Sequence, residues 1–218
     1  MDKVNRVVYQ VWTAGNPMPD VRKACCASSR ENIPVPVELI TPDNLQQYVV
    51  PGHPLHPAYE YLHPSHRSDY MRCYLMHFHG GGYSDIKFIT KDNNWAEALD
   101  MLDADPRVDV VGAYEAYPGS GNAGYGRPSI ARHLIATCFI VARPMSEYTR
   151  TWFDAVENLL TVTQRQLERC PAGADGYPIP WTGLSSYMHM ACLAVTGHRP
   201  EAVRVALRTG WDASVSYK

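Results

Sequence analysis

Arg67-Ser68-Asp69-Tyr70-Met71-Arg72-Cys73-Tyr74-Leu75-Met76-His77-Phe78-His79-Gly80-Gly81-Gly82-Tyr83-Ser84-Asp85-Ile86-Lys87 is the stretch that decides the fold. Ser65, just before it, is placed to cap a helix running through His79. Tyr70, Tyr74 and Phe78 recur four apart, and Met71, Cys73 and Leu75 fill the neighbouring apolar stripe. Asp69 and Arg72 lie three apart, so both side chains can face one cleft. Three glycines stop the helix, and Tyr83 to Ile89 then reads as a strand. Alternation along it puts Asp85 and Lys87 on one face and Ser84 and Ile86 on the other.

Working outward, the rest of the chain continues the same rhythm. Val4 to Trp12 is rich in β-branched and aromatic residues and stops at Ala14-Gly15-Asn16-Pro17, a strand followed by a loop. Asp20 to Ser29 reads as a short helix and Pro34 to Ile40 as a second strand. Thr41 or Asp43 is placed to cap a further helix reaching about Val49. Residues from Val50 to Pro64 are punctuated by proline and histidine, giving a loop with a brief helical turn. Beyond the quoted stretch come a turn at Asp92-Asn93-Asn94, a helix from Trp95 to Leu102, and a buried strand from Val108 to Tyr114 with Glu115 at its end. The run from Pro118 to Pro128 carries Gly121, Gly124 and Gly126 and reads as a loop beside a site. Leu134 to Ala142 is a strand, Glu147 to Leu167 the longest helix, Leu184 to Val195 another helix, and the end from Pro200 is a strand or a helix. Strands alternating with helices predict an α/β fold, a central mixed, mostly parallel sheet flanked by helices.

Composition narrows the function classes. The 218 residues carry 20 Lys+Arg against 22 Asp+Glu, so no net field and no basic run favours a nucleic acid. The apolar share of 45% suits a folded body with a sizeable core, and 14 Tyr with 5 Trp supply rings with a polar handle for a wet pocket. None of the six cysteines sits in a C-x2-C pair, which predicts buried free thiols in a reducing compartment. The apolar stretch at the N-terminus is short and broken by Asn5, Arg6 and Gln10. It makes a poor signal peptide, and no run approaches a membrane span. The expectation is a single cytoplasmic domain over residues 1–218, a placement that includes work peripheral to a membrane.

The chemistry gathers where strands end in carboxylates. In open α/β sheets ligands bind at the carboxyl ends of the strands, and Asp85 and Glu115 occupy such ends here. Carboxylate oxygens suit Mg²⁺ or Mn²⁺, and such an ion bridges to diphosphate oxygens. Lys87 can neutralise the same diphosphate. His66, His77 and His79 raise a zinc reading, but His77 and His79 share no helix face and no familiar spacing is completed, which favours partly exposed residues at a helix end. Trp12 reads as core or as a wall for a base; Trp95 and Trp152 read as core.

The quoted stretch resembles the signature of DXD-containing glycosyltransferases of the GT-A fold, the sugar-binding-region and capsular-polysaccharide group, together with small glycosyltransferases of large algal viruses. Val8-Tyr9-Gln10-Val11-Trp12-Thr13-Ala14-Gly15 is similar to that group's opening strand, and Gly112-Ala113-Tyr114-Glu115 and Trp181-Thr182-Gly183 to weaker segments. The resemblance implies a nucleotide-diphospho-sugar transferase fold with a donor-binding part over about 1–115 and an acceptor-facing part over about 116–218. It implies that Gln10 and Trp12 border the nucleotide, that Asp69, Arg72, Tyr83, Asp85 and Lys87 contact the donor, and that Mn²⁺ or Mg²⁺ is bound by Asp85 with help from His189. The activity implied is sugar transfer from a nucleotide-diphosphate sugar, a UDP-sugar foremost, to a hydroxyl of a glycan or glycoconjugate, with retention favoured. One departure matters: Lys87 stands where the motif has its second acid.

Singly, these signals have plainer accounts. Asp69 suits an early helix position, Arg72 its i+3 partner, and the glycines a helix stop. Their fixed order makes the case. Two alternatives stay open, an inverting enzyme with Glu115 as base and a non-catalytic protein that binds a sugar or sugar nucleotide.

Overall fold

The structure is a computed structural model and describes residues 3–114 and 134–215. Six strands form one mixed sheet: β1 (Val8–Val11), β2 (Val37–Ile40), β3 (Gly81–Ser84), β4 (Val110–Tyr114), β5 (Ile135–Ala142) and β6 (Val203–Val205). Their order is β2-β1-β3-β5-β4-β6. β1 pairs parallel with β2 and β3, β4 pairs parallel with β6, and β5 runs antiparallel between β3 and β4. Chain order therefore reverses about β1, and the carboxyl ends of β1, β3 and β4 open on the same edge as the start of β5.

Among the described residues five helices flank this sheet: α1 (Asp20–Asn32), α2 (Pro64–Phe78), α3 (Trp95–Ala104), α4 (Glu147–Arg169) and α5 (Ser186–Thr196). Alternation along β1 sorts the layers, because successive side chains point to opposite faces. Val7, Tyr9 and Val11 join the core with α2, α4 and α5. Val4 and Val8 join the core with α3. Gln10, on the latter face, donates to Ser29 of α1 at 2.9 Å. A strand covered on both sides reads as a near-continuous apolar run, as this one does.

The helix at the centre of the quoted stretch is more deeply placed than its pattern suggested. Every residue of α2 from Tyr70 to His77 is buried, since α4 covers the side turned away from the sheet. Its cap is His63 rather than Ser65: Pro64 takes the first helical position, and His63 Nδ1 accepts from the Ser65 amide at 3.2 Å. The helix ends with the amides of His79 and Gly80 both directed to the Leu75 carbonyl. Gly81 then has φ of 88°, and a Cβ there would sit 2.8 Å from the Val7 carbonyl oxygen. That approach lets β3 start directly against β1.

Three other expectations change. The strand read over Tyr83 to Ile89 stops at Ser84, because α1 takes the backbone groups a ladder would need. Arg22 Nη1 donates to the Ile86 carbonyl at 2.6 Å, Ser28 Oγ accepts from the Ile89 amide, and Asn32 donates to the Ile89 carbonyl. The helix read up to Val49 is a single 3-10 turn, Leu45–Tyr48. Neither Thr41 nor Asp43 caps it; Asn44 instead accepts from the Thr41 amide and donates to Leu39. After Pro200 the chain makes a 3-10 turn and then adds β6 beside β4. Trp95 and Trp152 are core residues, as read, and all six cysteines are free.

Candidate functional site

A cavity of about 470 Å³ opens at the carboxyl ends of β1 and β3, where the chain order reverses. Its position is that expected for a ligand site in an open α/β sheet, and its size suits a small organic ligand. β1 delivers Val11 and Trp12 to it, α2 delivers Ser68, Asp69 and Arg72, and the segment from Tyr83 to Lys87 follows. The first turns of α1 and α2 contribute Arg22 and Ser65, and Ser185 precedes α5. Three helices thus turn their amino ends towards one hollow, a field that favours an anion.

Arg72 organises the acidic groups. Its side chain is 3% exposed, and burying a charge so deeply is tolerable only with partners. Its guanidinium donates to Asp69 and to the Thr137 carbonyl. It lies 3.7 Å from Asp85 Oδ1, with its centre 5.1 Å from the Tyr83 ring centroid. Tyr83 in turn donates its hydroxyl to Asp85 at 3.1 Å. The two carboxylates are less covered than the cation between them, Asp69 at 18% and Asp85 at 34% exposed. The arrangement presents acidic oxygens to the cavity and keeps the guanidinium behind them, so Arg72 acts chiefly by holding Asp69 and Asp85 together.

Burial raises the Asp69 carboxyl from 3.8 to about 6; Arg72 opposes that rise and the Asp85 charge adds to it. A carboxyl raised on folding stabilises the folded chain fully below about 3.8 and loses that contribution as pH passes upward through about 6. Asp69→Asn removes the titration. The difference in thermal midpoint between the variant and the parent is therefore expected to shift in favour of the variant between pH 4 and pH 7, as followed by circular dichroism. A difference that stays flat over that range means Asp69 titrates normally.

The expected site residues fall into groups. Trp12, Asp69, Arg72, Tyr83, Asp85 and Lys87 all line the cavity. Because β3 ends at Ser84, Asp85, Ile86 and Lys87 all reach it, and the strand alternation predicted for them does not apply. Lys87 Nζ rests 4.1 Å from the Trp211 ring centroid.

Gln10, expected beside the nucleotide, is not part of the cavity's lining. It is fully buried beside the cavity's wall, donating to Ser29 and, at 3.5 Å, to the Asp85 carbonyl. It positions the Asp85 peptide from behind, and its Oε1 has no partner among the described residues. His189, expected to help hold the metal, is buried, with Nε2 3.1 Å from the Ile135 carbonyl oxygen, and the cavity's lining does not include it. Among the described residues no group of three or more His, Cys, Asp or Glu is arranged to hold a metal. His77 is buried against Phe153, with ring centroids 4.9 Å apart, rather than partly exposed, and His79 bonds the Tyr48 carbonyl. Glu115 and the glycines at 121, 124 and 126 lie outside the described residues.

Several lining residues were not anticipated as such: Arg22, Ser68, Thr137, Cys138 and Ser185. Arg22 carried a usable signal, since a cation in the first turn opposes the helix dipole and calls for a specific reason. Thr137 and Cys138 carried none, because β5 approaches from far along the chain. Burial, with Asp85 adding, pushes the Cys138 thiol up to about 12, so it stays neutral. In all, Arg22, Arg72 and Lys87 face two carboxylates, leaving one positive charge in excess. Among the described residues no helix is long and apolar enough to cross a membrane. A scan against protein-family models finds no match to this chain, and a search of curated proteins returns none.

Proposed function

We propose that the protein is a glycosyltransferase that takes a nucleotide-diphosphate sugar as donor, with the diphosphate seated among Arg22, Lys87 and the Asp69/Asp85 pair. The observation that carries the reading is the joining of Asp69, Arg72, Tyr83 and Asp85 at one cavity, where a cationic rim adjoins two carboxylates. The order of these residues also resembles the donor-binding signature of GT-A enzymes. Cations on the rim suit phosphate oxygens. A pair of carboxylates held together by one guanidinium suits a divalent ion that arrives with the diphosphate, since Mg²⁺ takes one or two protein carboxylates and completes its shell with phosphates and water.

Asp69 and Asp85 would hold Mn²⁺ or Mg²⁺, which when bound offsets charge on the departing nucleotide. Arg72 keeps the two carboxylates in register, and Gln10 fixes the peptide that carries Asp85. Trp12 offers a flat wall to the base. Arg22 and Lys87 stabilise charge that develops on the leaving phosphate as the sugar's anomeric carbon separates from it. The acceptor hydroxyl bonds that carbon and passes its proton to the leaving phosphate, which gives retention without a protein base.

Titration calorimetry with UDP, GDP and CMP, each with Mn²⁺ or with EDTA, tests the donor site. UDP with Mn²⁺ is expected to bind, and EDTA to weaken it by about tenfold or more. If no nucleotide binds under either condition, the donor assignment fails.

A further inference from the structure

The cavity has two aromatic walls from opposite layers of the sheet. Trp12 packs on the α1 side with Cys25, Cys26 and Ile86. Trp181 comes from the other side, where it meets the start of α2, and it is 69% exposed. An indole left so open has little around it, yet the backbone that carries this one is fastened. Its carbonyl oxygen lies 3.2 Å from His66 Nε2, and its ring stands edge-on to His63 at 6.2 Å between centroids.

The fastening can be followed atom by atom. A carbonyl only accepts, so Nε2 of His66 carries the proton and Nδ1 is left to accept. Nδ1 lies 3.0 Å from the Tyr177 hydroxyl, which therefore donates to it and accepts from the His63 amide at 3.1 Å. Burial lowers the pKa of His66, in keeping with the neutral ring this pattern needs. The Tyr177 and His66 rings are stacked 5.6 Å apart. On the far side of Trp181 the chain turns tightly. The Gly183 amide donates to the Pro180 carbonyl at 2.7 Å, and a Cβ on Gly183 would fall 2.4 Å from an Ile179 methyl. The loop is thus tied to the amino end of α2 and shaped before any ligand arrives.

We propose that Trp181 is the platform of a saccharide subsite and that the acceptor's pyranose ring stacks on it. The inference rests on the glycosyl-transfer reading and assigns the acceptor class to a place. A pyranose has an apolar face of C–H groups bordered by hydroxyls. Trp181 meets the face with an open indole, and the hydroxyl-bearing Ser65, Ser68 and Ser185 line the same cavity. The cations Arg22 and Lys87 lie with the segments that pack on α1 and Trp211, which leaves the Trp181 wall to an uncharged ligand.

The test uses the whole chain, an array of immobilised natural oligosaccharides, and a parallel titration with UDP and Mn²⁺. The parent is expected to retain one or more pyranose-containing glycans, Trp181→Ala to lose that retention by about tenfold or more, and Trp181→Phe to keep part of it. UDP affinity is expected to stay within about twofold in both variants. Neither substitution touches the core, since Trp181 is exposed, and near-ultraviolet circular dichroism checks the fold of both variants. Glycan retention unchanged in Trp181→Ala, or no glycan retained by the parent, overturns the proposal. A loss of UDP binding with glycan retention intact makes Trp181 a donor wall and also overturns it. Glycan retention that depends on Trp181 in a protein that binds no nucleotide upholds the subsite and removes the transferase reading.

Discussion

Asp85→Asn is expected to weaken UDP binding in the presence of Mn²⁺ by about tenfold or more and to lower sugar release from a UDP-sugar by about 10²- to 10³-fold. The asparagine keeps a carbonyl oxygen to accept from the Tyr83 hydroxyl and nearly the same volume. It removes the charge that lies 3.7 Å from Arg72 and one of the two carboxylates at the cavity. With Arg22, Arg72 and Lys87 in the same cavity, losing Asp85 raises the positive excess from one to two, so a divalent ion loses much of its attraction to the site. The change should leave the fold almost untouched, because Asp85 is only partly buried and its peptide is held independently by Gln10 and by the bond from its amide to the Cys138 carbonyl. Calorimetry and a nucleotide-release assay, set beside a thermal melt, separate the two effects. Binding and release at parental levels in a folded variant would rule Asp85 out of the donor site.

Removing Arg72 is expected to have the largest effect on stability. Arg72→Met fills much of the same volume but leaves Asp69 and Asp85 facing each other with no cation between them, and frees the Thr137 carbonyl. Breaking a buried pair from one side costs about 3–5 kcal/mol, which for a chain of this size lowers the thermal midpoint by roughly 10 °C. Arg72→Lys keeps the charge but has no planar fork to serve Asp69 and Thr137 together while lying over Tyr83, so about 2 kcal/mol of the loss remains. The Arg72→Met deficit should shrink on acidification, as Asp69 takes up a proton and no longer needs a cation. It should shrink also in the double variant Asp69→Asn/Arg72→Met, whose cost falls below the sum of the single ones. Urea unfolding at pH 5 and pH 7.5 measures all of this. A single Arg72→Met cost below about 1 kcal/mol would mean the guanidinium is no more than a surface partner.

The α/β rhythm was legible because strand and helix periods are local. Val8 to Val11, Val110 to Tyr114 and Ile135 to Ala142 lie inside the stretches read as strands, and Glu147 begins the longest helix where Ser146 caps it. Asp69, Arg72, Tyr83 and Asp85 were legible as a set because a helix, a glycine stop and a strand bring them close over 17 residues of chain. What misled was competition between local pattern and distant partners. The alternation from Tyr83 to Ile89 is a valid strand pattern, yet Arg22, Ser28 and Asn32 of α1 claim its backbone. Gln10 was expected beside the nucleotide because its strand resembles the opening strand of a transferase group, but position 10 faces α1, and the side chain turned to Ser29.

By itself, the sequence determined the class of fold, the small net charge of -2, and which acidic and basic groups share a helix–glycine–strand unit, since all of these follow from composition and from contacts within a few turns of chain. Tertiary structure alone decided that Arg72 lies behind the carboxylates, that α2 is buried all round from Tyr70 to His77, and that Thr137, Cys138 and Trp181 close the same hollow. These depend on β5 and the turn before α5 arriving from more than 50 residues away. No local period encodes such a meeting, because it is set by how two apolar layers pack across one sheet.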